Sequence, residues 1–100
     1  APSNMKNFEI GKYGKLRLKY LKEHKKAEYT ILLMDNKLQK HIMEIDKIAN
    51  ERFDLLMKQF AQKENITEEL KAKDQLKWVG LMNNIKHSAE EIILKELIYV

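Results

Sequence analysis

The sequence predicts an all-α fold: a helical bundle with two short N-terminal helices and a long antiparallel helical hairpin. Three observations support that reading. Backbone breakers are scarce, the only proline being Pro2 and the only glycines Gly11, Gly14 and Gly80, so little interrupts helix propagation. From Leu38 onward, apolar residues recur at steps of three and four, the period of one buried helical face. The clear polar interruption in the C-terminal half is Lys63 to Thr67, short enough to join antiparallel neighbours.

The first helix is expected over Lys12 to Lys25, with Gly11 and Gly14 permitting chain reversal or close approach at its start. A short second helix follows from Ala27 to Met34, and Asp35 and Asn36 supply turn or cap chemistry before the third. The third runs from Leu38 to Phe60. Its apolar positions Leu38, Ile42, Ile45, Ala49, Phe53, Leu56 and Phe60 form one narrow seam, and Ile48 and Leu55 add a second contact line. Asn65 can take a turn conformation, and Thr67 can cap a fourth helix opened by Glu68 and Glu69. That helix is expected to continue to Leu97 on the stripe Trp78, Leu81, Met82, Ile85, Ala89, Ile92 and Ile93, weakened in its middle by Gly80, Asn83 and Asn84. Each long helix would extend roughly 40 Å. A two-helix hairpin of that length cannot cover its own apolar sides, so a second copy is expected along it, giving a homodimer.

Composition fits one small domain. In 100 residues, 44% are apolar and 34% charged, so the core is modest. The chain contains no Cys, which excludes disulfides and thiolate metal sites and agrees with a reducing cytoplasm. No apolar run is long enough to span a bilayer and the N-terminus lacks the apolar core of a secretory signal, so a cytoplasmic protein with no membrane association is expected. Residues 1–9 are expected to be a tag remnant and disordered N-terminus, with Ala1 to Asn4 ahead of Met5 reading as the remnant.

Charge is unevenly distributed. The net charge of +4 conceals eight basic against two acidic residues in positions 1–27. Lys12, Lys15, Lys19, Lys22 and Lys26 recur at helical steps and should lie along one side of a helix. Arg17 and Lys25 stand beside them as supporting cations. Tyr13, Leu16, Tyr20 and His24, with Leu21 nearby, fall on roughly the opposite side, so the helix can dock by its aromatic face and leave its ammonium groups in water. A local basic excess is the electrostatic footprint expected where phosphates are contacted. The alternatives are a solvated face or an arm pairing with the acidic remainder in a dimer.

Catalytic signatures are missing. The only serines are Ser3 and Ser88, so no nucleophile-plus-base pattern exists, and Gly11-x-x-Gly14 lacks the Lys and Ser/Thr of a phosphate loop. Four tyrosines are available as nucleophiles, but Arg17 and Arg52 are the only arginines, too few for a phosphoryl transition state. His41-x-x-Glu44 and His87-x-x-Glu90 fall at one level of the hairpin, as a bundle-core metal site would require. Helix phase opposes it, because His87 lies about 170° and Glu44 about 140° from the apolar centres of their helices. Neither an enzyme, a metal nor a cofactor is expected. Trp78 could stack bases, but its place in an apolar stripe favours a core anchor.

Several blocks resemble one family. Ile10-Gly-Lys-Tyr-Gly-Lys-Leu-Arg (residues 10–17), Tyr20-Leu-Lys-Glu-His (20–24), Leu70-Lys-Ala-Lys-Asp-Gln (70–75), Trp78-Val-Gly-Leu-Met-Asn-Asn (78–84) and Ala89-Glu-Glu-Ile-Ile-Leu-Lys-Glu-Leu-Ile-Tyr-Val (89–100) closely resemble TnpV proteins. The resemblance makes residues 10–100 a single helical TnpV-like domain. It implies an accessory factor of a Gram-positive mobile element, excisionase-like, with recombination chemistry supplied by a separate site-specific recombinase. Combined with the basic helix, it leads to an expectation of binding to double-stranded DNA at element ends through Lys12, Lys15, Arg17, Lys19, Lys22, Lys25 and Lys26. The competing expectation is an adaptor whose basic helix binds the recombinase without touching DNA.

Overall fold

The structure, a computed structural model, describes residues 10–100, and the expectations for residues 1–9 lie outside them. The described residues form helices α1 (Lys12–His24), α2 (Lys26–Met34), α3 (Leu38–Lys63), α4 (Glu68–Lys73) and α5 (Gln75–Ile93), followed by a π-helical turn, Leu94–Ile98. No strand occurs among them. The all-α architecture and the long hairpin agree with the sequence reading. The helix α3 runs one turn beyond the expected Phe60.

Two chain reversals close in the same way. After α2, Asn36 takes a left-handed φ of 60°, and after α3, Asn65 takes 55°. Asparagine tolerates this region because its short amide can bond locally. At each site the following N–H reaches back to close the helix end, Lys37 to the Leu32 carbonyl at 2.8 Å and Ile66 to that of Ala61 at 2.9 Å. The Asn36 and Asn65 amides bond Leu33 and Gln62, which completes a Schellman motif twice. Thr67 then caps α4 as expected, its hydroxyl accepting from the Leu70 amide at 3.2 Å.

The fourth helix is divided where the sequence predicted continuity. Asp74 leaves helical geometry (φ −144°, ψ 85°) and its carboxylate accepts from the Lys77 amide at 3.1 Å. An aspartate that bonds a backbone N–H three residues on starts a new helix rather than extending the old one. Gly80, Asn83 and Asn84, expected to be the weak points, stay helical within α5. The end also differs: the last turn widens, with the Tyr99 amide bonded to the Leu94 carbonyl at 2.8 Å.

The start of α1 is tied down from a distance. Gly11 is its N-cap and has no side chain to accept from the first turn, so Asp46 of α3 does so instead. Its carboxylate accepts from the Gly11 amide at 3.1 Å and from that of Gly14 at 2.9 Å, which also places a negative charge at the positive end of the helix. Gly14 permits this approach: a Cβ there would stand 3.1 Å from the Asp46 Cβ and 3.2 Å from Ile42 Cγ2.

Burial is concentrated at the end where α1, α3, α5 and the π-helical turn meet. Tyr13, Ala49, Ile93 and Ile98 form the core cluster there, with Leu16, Ile45, Phe53, Leu56, Leu94 and Leu97 half-buried around it. The Tyr13 ring sits 6.3 Å from that of Phe53. Burial, aided by Glu90, raises the Tyr13 phenol to about 12. The expected stripes of both long helices face this interior. Ile48 and Leu55, the second contact line of α3, are exposed.

Candidate nucleic-acid interface

Along α1, burial separates two sides, the buried one turned from the expected aromatic face: Leu16 and Tyr20 are half-buried and His24 is exposed. Tyr13, Gly14, Arg17 and Leu21 are buried, while Lys12, Lys15, Lys19, Lys22 and Lys25 are exposed. The stripe is not one helix long, however. Lys25 (φ −131°, ψ 54°) breaks the chain, and Lys26 opens α2. Four lysines therefore line α1, and Lys26 continues the row across a kink.

The cations differ in what they touch. Lys12 forms an ion pair with Glu90 of α5 and lies 5.6 Å from the Tyr13 ring centroid. The Lys22 ammonium sits 5.8 Å from the ring of Tyr29 on α2. Lys15, Lys19, Lys22, Lys25 and Lys26 are held in no ion pair among the described residues. A row of free ammonium groups spaced about 5 Å along a helix axis can attract a polyanion.

Arg17 serves the interior instead. It is 5% exposed, and its Nη1 donates to the carbonyls of Ile98 at 2.8 Å and Val100 at 2.9 Å. Its Nε donates to His41 Nε2 at 3.4 Å, and Glu28 Oε1 approaches Nη2 at 3.9 Å. The guanidinium thus ties α1 to α2, α3 and the C-terminal segment. The signal was present in the sequence, since Arg17 lies about 170° around the helix from the centre of the lysine row, among the aromatics. His41 must present an unprotonated Nε2 to accept from Arg17. Its pKa is lowered by burial first and then by the Arg17 charge, with Glu28 and Glu44 pulling the other way.

The paired His-x-x-Glu motifs do not converge. His41 turns to Arg17 and Glu90 to Lys12, and among the described residues no group of three or more His, Asp or Glu side chains could hold a metal. Trp78 is half-buried on α5, with the Lys71 ammonium 4.7 Å from its ring. Two of the expected aromatics, Tyr20 and His24, gain a neighbour the sequence reading did not assign to them, Tyr99. Tyr20 lies 5.2 Å from His24 and 5.3 Å from Tyr99 between centroids, on the side of α1 away from most of the lysine row, with Lys19 in the lining of the cavity they share. The first two are four residues apart on one helix face, but Tyr99 joins them only through the tertiary fold.

Comparison with known proteins decides the family. The model of the TnpV family, described as transposon-encoded protein TnpV, matches residues 1–98. The chain belongs to the TnpV family. No curated protein and no solved structure matches it. The resemblance read from residues 10–100 is therefore a family relationship covering nearly the whole chain. Among the described residues of this TnpV protein, no helix is long and apolar enough to cross a membrane.

Proposed function

We propose that this TnpV protein is an accessory DNA-binding factor of its mobile element, excisionase-like, which holds duplex phosphates and assists a separate recombinase. The supporting observation is the exposed row Lys15, Lys19, Lys22, Lys25 and Lys26, free of ion pairs among the described residues and projecting from α1, whose other side is anchored, and from its junction with α2. Anchoring matters because a rigid row loses less freedom on meeting a regular array of phosphates. Arg17 is left out of this reading, and Lys12 joins it only by exchanging Glu90 for a phosphate.

The test is a mobility shift on element-end duplex. Changing Lys15, Lys19 and Lys22 together to Glu should abolish the shift while helicity by circular dichroism is retained. Undiminished binding overturns the role of the row. Single Lys→Ala changes should each lower the salt slope by about one.

A second reading, the protein adaptor, is favoured by one feature. The segment α2 is rich in apolar residues yet buries none, leaving Ile31, Leu33 and Met34 59%, 54% and 80% exposed. An unpartnered apolar helix suits a protein partner. In that case purified protein gives no shift until the recombinase is added, and Ile31→Gln with Met34→Gln removes the effect. We also propose a homodimer joined along the hairpin, for which exposed Ile48, Leu55 and Leu76 supply apolar surface. Sedimentation equilibrium measures it directly.

A further inference from the structure

We propose that the open cavity bounded by Tyr20, His24 and Tyr99 is a binding site for a single unpaired nucleobase, next to the phosphates that the lysine row would hold. The cavity has a volume of about 380 Å³ and is lined by Leu16, Lys19, Tyr20, Glu23, His24 and Tyr99, room enough for a base with its sugar. The inference rests on the DNA-binding reading for its context, but its chemistry stands on the cavity itself.

Three features favour a base over other ligands. Three of the six lining side chains are aromatic, with the Tyr20 centroid 5.2 Å from that of His24 and 5.3 Å from that of Tyr99. Every base offers a π-face to such rings. The polar groups at the rim have opposite charge, Lys19 and Glu23. The carboxylate disfavours a phosphate inside and can accept from an exocyclic amine. Both residues also line the neighbouring concavity formed with Lys15, Leu18 and Lys22, so a nucleotide could place its phosphate on the lysine side and its base on the aromatic side.

The site is also held in shape. Arg17, 5% exposed, donates to the carbonyls of Ile98 and Val100, the residues on either side of Tyr99, and lies 5.9 Å from the Tyr20 ring. This fixes the tyrosine contributed by the distant C-terminal segment against the one from α1. A pocket whose walls are set beforehand loses less on binding. The unpaired base could come from a single-stranded extension or from a nucleotide displaced out of a duplex.

The experiment titrates the full chain with dGMP and, separately, with ribose 5-phosphate, following the ring resonances of Tyr20, His24 and Tyr99 by NMR. Saturable shifts with dGMP alone are expected. No shift, or equal shifts with the sugar phosphate, overturns the proposal. Tyr20→Ala should abolish the response, and the exposed His24→Ala, which leaves the fold's interior untouched, should weaken it by about tenfold, within the range for one stacking partner. A normal dGMP response from His24→Ala and Tyr99→Ala together also overturns it. Duplexes carrying 2-aminopurine in an overhang, or opposite an abasic site, then identify the source by which fluorescence is quenched. Because dGMP binding is read without duplex, its failure is distinguishable from failure of the lysine row to bind DNA.

Discussion

The two ends of the hairpin are built differently. At the basic end, α1 and the π-helical turn close over α3 and α5, and Tyr13, Leu21, Ile42, Ala49, Ile93 and Ile98 are all buried. At the tip, where α3 turns through α4 into α5, Ile66 is the buried residue between Asp54 and Asn84, and Leu76 is 87% exposed. The same helical period runs through both ends. What differs is the number of layers, because a stripe on each of two helices buries fully only where a third element covers the groove. Stability should therefore reside at the basic end, which lets that end hold charged and aromatic side chains in fixed positions.

The largest effect should come from cutting into the covered end. Ile93→Ala removes a fully buried side chain from the core cluster and should cost about 3 kcal/mol. The measurement is urea unfolding, with unchanged cooperativity. A loss below about 1 kcal/mol would mean the two ends are equally soft.

Next comes the buried cation. Arg17→Ala leaves the Ile98 and Val100 carbonyls without their donor and should cost about 2 kcal/mol. It should also free Tyr99, visible as narrowed NMR lines for that ring. The same cluster gives this end a pH dependence. The folded pKa of His41 is depressed, so its contribution is full above the ordinary value of 6.5 and is lost as pH falls from there through the lowered value. The denaturation midpoint should fall between pH 7.5 and 5.5, and His41→Gln, which keeps an acceptor for Arg17, should flatten that fall.

How legible each end was depends on how local its chemistry is. The stripes of α3 and α5 follow from spacing alone, as do the Thr67 cap and the turn at Asn65, because each involves residues within a few positions. The break at Asp74 sits within a run of good helix formers, and period and propensity favoured continuity there. What decided it was an aspartate capping the next turn. The cap on α1 was out of reach for the opposite reason: Gly11 and Gly14 look merely permissive until Asp46 arrives from α3. Of the candidate cations, the lysines were read from phase, and phase applied once more would have turned Arg17 inward. Tyr99 could not be placed beside Tyr20 by any local rule.

The smallest effect is expected at the tip, and it sharpens the comparison most. Leu76 is 87% exposed on α5, so it makes little contact within one chain. Leu76→Gln should change monomer stability by less than about 0.5 kcal/mol, as surface substitutions do. If a second copy covers the hairpin, the same change removes apolar area from that interface. The wild-type midpoint would then rise with protein concentration and the variant's would rise less, because association adds stability by mass action. Matching, concentration-independent midpoints would remove Leu76 from any interface and leave the tip a two-layer structure stabilised by its own contacts.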